Sequence, residues 1–254
     1  PLRPPAETAA IYRKAIAARD GRVMLYGVTP ELAGIGRQQV AVDGSEGMVR
    51  NTWPGDTASR RAILGNWLAL PFADGAMSAA IGDGILSNIA WPDETAGLLD
   101  ELVRVLAPGG RAVFRTFCTP GRTETLAQVR DAAFDGEIES FHALKWRVAM
   151  ARMPDRRTPN IAVRDILARF DETFPDRTAL ARATGWHAES IATIDAYAGS
   201  PHLYSFPSLP QLLALAVPRF GSVATLDSGR YPLCERCPLI VLDRGPADGR
   251  PDLP

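Results

Sequence analysis

The feature that most constrains this chain is the alternation of short apolar runs with helical segments between residues 22 and 117. The runs are Arg22-Val-Met-Leu-Tyr26, Gln39-Val-Ala-Val42, Arg61-Ala-Ile-Leu64, Met77-Ser-Ala-Ala-Ile81 and Arg111-Ala-Val-Phe-Arg-Thr-Phe117. Each has strand length, and the first four run into loop residues: Gly27, Asp43-Gly44-Ser45, Gly65-Asn66-Trp67 and Gly82-Asp83-Gly84. Helices are expected between and before them. Residues 6–19 place Ile11, Tyr12, Ala15 and Ile16 on one side and stop at Asp20-Gly21. Thr29-Pro30-Glu31 offers an N-cap, a proline at the first helical position and an acid in the first turn, and Gly34 and Gly36 end that short helix. Asp93 can cap a helix with Leu98, Leu99, Leu102, Val105 and Leu106 on one face, stopped by Ala107-Pro108-Gly109-Gly110. Strands alternating with helices at this rhythm predict a parallel α/β sheet with right-handed crossovers.

From 119 to 206 the pattern changes to helical periodicity around 123–133, 138–151, 160–170 and 176–184, punctuated by Pro154, Pro159 and Pro175, with no convincing strand run. This stretch reads as a helical insertion after the fifth strand. The α/β rhythm then resumes with a helix over Leu209–Val217, a strand near Ser222–Asp227 and a closing strand Pro238–Leu242. The core is thus 20–118 plus 207–243, in one domain spanning 1–254, and the Pro/Gly/Asp-rich tail after Arg244 is expected to be mobile. No internal repeat is visible.

Lys+Arg 28 against Asp+Glu 29 leaves a net charge of −1, so no global field draws the chain to nucleic acid or an anionic membrane. Lys14 and Lys145 are the only lysines, a bacterial-like codon bias in an arginine-, alanine- and proline-rich chain. Three cysteines make no disulfide framework, and no apolar run approaches the roughly 18 residues of a membrane span. A cytoplasmic protein is expected. The N-terminus shows no signal architecture and no initiator Met, so the start reads as trimmed or incomplete.

In an open α/β sheet, ligands sit beyond the carboxyl ends of the strands where strand order reverses, which directs attention to the four loops above. Asp43 stands eighteen residues after Leu25, near the offset at which a carboxylate meets a ribose hydroxyl; capping the next helix is its bland alternative. A dinucleotide site wants G-x-G-x-x-G, because a pyrophosphate needs close backbone approach. Gly27-Val28-Thr29-Pro30-Glu31 has one glycine and a carboxylate that would repel it. An adenosine ligand without phosphates and with a cationic sulfonium tail escapes that penalty.

With VMLYGVTPELA, VAVDGS, GNWLALPFADGAMSAAIGDG and LVRVLAPGGRAVFRTF, the chain resembles the class I S-adenosylmethionine-dependent methyltransferases over roughly residues 20–118 and again over 207–243. The resemblance implies a Rossmann-like, seven-stranded, mostly parallel sheet flanked by helices, whose last strand runs antiparallel. It implies that Gly27, Val28, Thr29 and Pro30 line the methionine end of S-adenosyl-L-methionine and that Asp43, with Gly44 and Ser45, holds the ribose. Asn66 and Trp67 would flank the adenine, Asp83 and Gly84 would lie beside the methionine moiety, and Tyr12 would cover the cofactor from the first helix. The family's first motif is usually richer in glycine. Asn66 could instead close a turn, Trp67 and Tyr12 could be core residues, and Asp83 could be a turn former.

Cys234-x-x-Cys237 is half of a zinc site with nothing to complete it, so no metal is expected. His142, His187 and His202 belong to no hydrolytic motif. His202 and Tyr204, in the loop leading back to the sheet, are the candidate catalytic or acceptor-contacting residues, with a packed loop as the alternative. The expected activity is methyl transfer to a small-molecule acceptor covered by 119–206. A silent methyltransferase-like partner or scaffold protein is the first rival, and a nicotinamide oxidoreductase the second. The Gly-Asp-Gly-Ile loop after the fourth strand lacks the Pro-Pro-aromatic signature of base methylation, which weighs against DNA as substrate.

Overall fold

The computed structural model describes residues 2–152 and 158–246. Pro154 and the end of the tail therefore lie outside the described residues. Strands β1 (Arg22–Tyr26), β2 (Gln38–Asp43), β3 (Arg60–Leu64), β4 (Met77–Asp83), β5 (Leu106–Arg115), β8 (Ser222–Leu226) and β9 (Leu239–Asp243) form one sheet in the order β3-β2-β1-β4-β5-β9-β8. The pairs from β3 to β5 are parallel, and β9 runs antiparallel to both β5 and β8. This is the expected mostly parallel seven-stranded sheet with an antiparallel last strand. The chain builds outward from β1 to β3, then returns to lay β4 on the other side of β1, so strand order reverses between β1 and β4.

Alternation along β1 shows how the sheet is held. Val23 and Leu25 point to one face, where they pack with Ala9, Tyr12 and Ile16 of helix α1 (Ala6–Ile16). Met24 and Tyr26 point to the other, against Leu98, Leu99 and Leu102 of α3 (Asp93–Val105) and Leu212 and Ala216 of α9 (Leu209–Ala216). Both faces are covered, as a parallel sheet requires. Between α1 and α3 lies α2 (Glu46–Thr52), which buries no residue and so leaves no hydrophobic period in the sequence.

The insertion holds α4 (Leu126–Phe134), α5 (Phe141–Met150), α6 (Val163–Thr173), α7 (Arg177–Thr184) and α8 (Ala188–Ala192). These pack around a separate apolar cluster containing Val129, Leu144, Trp146, Ile166 and Phe170, which meets the sheet at Phe117. Thr125, Ser140 and Asp176 cap α4, α5 and α7 through side-chain oxygens.

Three local expectations are corrected. Residues 160–162 are not helical: β6 (Asn160–Ala162) pairs antiparallel with β7 (Leu203–Ser205) as a small second sheet, strands of three residues being too short to show a period. Thr29-Pro30-Glu31 opens a single 3-10 turn, Pro30–Leu32, and Thr29 makes no capping bond. Gln39 fixes that loop instead, its carboxamide donating to Leu32 O (2.9 Å) and Ile35 O (3.3 Å) and accepting from Gly34 N (2.8 Å). Leu106 closes no helix: α3 ends at Val105, and Leu106 already pairs with Met77 as the first residue of β5, a bulge separating that pair from Ala79 and Arg111.

Candidate cofactor and acceptor site

Beyond the carboxyl ends of β1, β2, β3 and β4 lies a cavity of about 1150 Å³, which continues beneath the insertion. Gly27, Val28, Thr29, Pro30, Asp43, Gly44, Ser45, Asn66, Trp67, Asp83 and Gly84 all line it, and so do His202 and Tyr204. Tyr12 does not. Its side chain is wholly buried under the sheet, and its hydroxyl donates to Gly82 O (2.7 Å) and accepts from Arg115 N (2.7 Å), so α1 is tied to β4 and β5 by a core tyrosine.

The loops are locked to one another by backbone chemistry. Val42 O, at the end of β2, accepts both Gly27 N–H (2.8 Å) and the Trp67 indole N–H (2.7 Å). One carbonyl thus fixes the first loop and the tryptophan of the third. Asp43 Oδ1 accepts from Ser45 N (2.8 Å), and Ser45 Oγ caps α2 by accepting from Met48 N (3.2 Å). Asp43 Oδ2 bonds no described residue. Burial raises the pKa of this carboxyl against the opposing pull of the Ser45 N–H. Gly27 has φ of +78°, and a Cβ there would stand 3.8 Å from Asp43 Oδ2 and 3.9 Å from Trp67 Cζ2. The space between carboxylate and indole is therefore kept open by the absence of a side chain. Asn66 is exposed, and its carbonyl oxygen accepts from Leu68 N (2.9 Å), so one end of the amide closes a turn while the residue borders the cavity.

Asp83 ends β4 and is no turn former. Arg115, wholly buried on β5, grips its carboxylate with two bonds of 2.5 and 3.0 Å and lies between the rings of Phe117 and Tyr231, 5.4 and 5.3 Å from their centroids. Burial raises the Asp83 pKa, and the guanidinium facing it pulls the other way. Burial also works against the charge on Arg115, but Asp83 outweighs it and holds the guanidinium above its usual range. A carboxylate on the cavity wall thus has its charge balanced from behind.

Phe117 and Trp146, which were not among the candidate residues, complete the walls. Gly84, at φ +67°, lets Phe117 approach so closely that a Cβ would meet its ring at 2.9 Å. Phe117 stacks on Trp146 of α5 (centroids 4.9 Å apart, planes at 23°), and Trp146 in turn meets Tyr204 of β7 at 5.3 Å. Burial keeps Tyr204 protonated above the usual tyrosine range, so it presents a phenol. His202 is exposed at the rim. Four lining residues each bury a polar atom with no partner among the described residues: Tyr26 Oη, Glu31 Oε2, Ser87 Oγ and Trp146 Nε1. No periodicity separates such an aromatic from a core aromatic, which is why the sequence left Phe117 and Trp146 unmarked.

The family profile described as "Methyltransferase domain" matches residues 27–114, the stretch that supplies every strand-end loop of the cavity. The profile covers about a third of the chain, and the sheet around it has the class I methyltransferase fold. A demethylmenaquinone methyltransferase of Mycolicibacterium vanbaalenii is 41% identical over 92 residues, 36% of this chain and 38% of the relative. One from Mycolicibacterium gilvum is 33% identical over 163 residues, 62% of each. The chain thus spans less than two thirds of the length of these curated relatives. Among solved structures, a Burkholderia thailandensis 1,6-didemethyltoxoflavin-N1-methyltransferase with bound 1,6-didemethyltoxoflavin and S-adenosylhomocysteine shares the fold at a TM-score of 0.51 and 16% identity, over 95% of this chain and 79% of that one. No helix among the described residues is long and apolar enough to cross a membrane, and no group of three or more His, Cys, Asp or Glu among them is placed to hold a metal.

Proposed function

We propose that the protein binds S-adenosylmethionine over the ends of β1–β4 and transfers its methyl group to a small molecule seated beneath the insertion. The observation that carries this reading is one continuous cavity whose floor is the strand-end loops and whose far wall is the aromatic set of Phe117, Trp146 and Tyr204. The donor set suits the cofactor. Asp43 Oδ2 is an unpartnered acceptor for ribose hydroxyls, Trp67 and Asn66 border the space beside it, and the opening over Gly27 is one that a side chain would fill. Glu31 and the Arg115-balanced Asp83 face a tail carrying a sulfonium and an amine without demanding phosphate contacts. When bound, the cofactor supplies an electrophilic methyl group.

This chain's own part is alignment and exclusion of water, which an in-line displacement needs above all. Phe117, Trp146 and Tyr204 give the acceptor an apolar wall, the Tyr204 phenol can donate to an acceptor oxygen, and His202 can take a proton at the rim. The 62% overlap with demethylmenaquinone methyltransferases supports a small-molecule acceptor over a nucleic acid. Thermal unfolding with and without S-adenosylhomocysteine tests the reading. A ligand that binds only the native state at a hundred times its Kd stabilises by about 2.7 kcal/mol, and no shift with either S-adenosylmethionine or its demethylated product at saturation would overturn it.

A further inference from the structure

Lys145 sits on α5 beside Trp146, 5% exposed, and its ammonium makes no hydrogen bond or ion pair with any described residue. It rests instead against aromatic faces, 4.8 Å from the Tyr197 ring centroid and 5.8 Å from that of Trp146. Tyr197 lies edge-on to Tyr204 at 6.2 Å, and Trp146 and Tyr204 line the cavity. The charge is therefore one layer of rings away from the acceptor end. The titratable groups facing it are His142, one turn earlier on α5, and the Tyr197 and Tyr204 phenols on the opposing elements; none brings a negative charge. An uncompensated buried cation is unfavourable, and such groups concentrate where a function needs them.

Aromatic walls alone fit two kinds of occupant, a flat conjugated ring or a cationic amine held by cation–π contact. Lys145 separates them. Its field crosses one layer of packed rings, where charges are less screened than in water, and it repels a second cation while favouring an anion. Building on the methyl-transfer reading, we infer that the acceptor is a flat aromatic ring bearing an ionised oxygen, a phenolate or enolate, with Lys145 as its buried counter-charge. Lys145 does not line the cavity, so it acts as a positioning residue. Holding the acceptor as its anion also lessens the need for a strong base beside the aromatic wall, where Tyr204 presents a phenol and His202 stands at the rim; Glu31, Asp43, Asp83 and Glu94 line the same cavity, as does Arg3.

The test uses three probes with the same ring: 4-nitrophenol, 4-nitrobenzyl alcohol and 4-nitrobenzylammonium, titrated into the protein saturated with S-adenosylhomocysteine. The expected result is tightest binding of the phenolate and a fall of about one unit or more in the apparent pKa of bound nitrophenol, read from its visible absorbance, equivalent to roughly tenfold preference for the anion. Lys145→Met should abolish that shift and Lys145→Arg should keep most of it. Methionine fills a similar volume, so the variant is expected to fold. Ammonium binding as tight as phenolate binding, a pKa shift that survives Lys145→Met, or no binding of nitrophenol at all would each overturn the inference while leaving the cofactor reading intact. Failure of S-adenosylhomocysteine itself to bind would overturn that reading and this inference with it.

Discussion

Replacing Lys145 with methionine should make the protein more stable at neutral pH, although it removes a charged residue from beside the proposed site. Burial depresses the lysine pKa from 10.5 to about 8. Each unit is worth about 1.36 kcal/mol, so the folded protein carries a penalty of about 3 kcal/mol wherever both states are protonated. That holds below about pH 8. Between about 8 and 10.5 the unfolded chain still holds the proton that the folded chain has shed, so the Lys145 contribution to wild-type stability climbs with pH and its penalty is gone above the upper value. The variant lacks this climb. His142, pushed down to about 4 chiefly by burial, titrates below this window, while Tyr197 and Tyr204, raised by burial, ionise first in the unfolded chain near 10 and so oppose the lysine, alike in wild type and variant. Urea unfolding at pH 7 and at pH 9.5 gives the difference directly. At pH 7 the variant should be more stable by up to about 3 kcal/mol, roughly 6–12 °C in Tm for a chain of this size, and the gain should shrink at pH 9.5. A variant no more stable than wild type, with a difference independent of pH, would refute the isolated buried charge.

Asp43→Ala should weaken S-adenosylhomocysteine binding by about 1.5–3 kcal/mol, the worth of hydrogen bonds to a charged group, and an unchanged Kd in a folded variant would remove the ribose role. Gly27→Val places a β-branched residue at φ +78° between Asp43 and Trp67, so calorimetry should find cofactor binding lost; retained affinity would mean that the ligand does not use this opening. Arg115→Met should cost about 3–5 kcal/mol by leaving Asp83 buried and unpaired, whereas Arg115→Met with Asp83→Leu should cost clearly less than the two single changes together; additive costs in denaturant unfolding would show that the pair is not coupled. Changing His202 and Tyr204 together to Phe should leave the cofactor Kd within about twofold and reduce turnover, the separation expected of residues on the acceptor side. Loss of cofactor affinity with the fold intact would contradict that division.

How much of this was legible in the sequence depended on what each signal measures. Strands such as Arg22–Tyr26 matched to the residue because a doubly covered strand is a short apolar run between breakers, and the strand-end loops follow from the strands. Eleven of the twelve cofactor candidates therefore reached the cavity wall. Tyr12 did not, because an amphipathic period reports which face of α1 is buried and not whether a buried hydroxyl meets a ligand or the backbone at Gly82 and Arg115. The 3-10 turn after β1 escaped because the glutamine that shapes it, Gln39, lies on the next strand. Of the proposed acceptor wall only Tyr204 was marked in the sequence, from its place in the loop leading back to the sheet; Phe117 and Trp146 join it only through tertiary packing, and Lys145 beside them reads on paper as one more surface cation.

The central claim is that the strand-end cavity is an S-adenosylmethionine site, and a crystal structure of the protein with S-adenosylhomocysteine bound tests it most directly. The account predicts density over Gly27 with the ribose hydroxyls on Asp43 Oδ2, the adenine bordered by Asn66 and Trp67, and the sulfur turned toward the opening beneath Trp146 and Tyr204. Ligand bound elsewhere, or a ribose that leaves Asp43 Oδ2 without a partner, would contradict it.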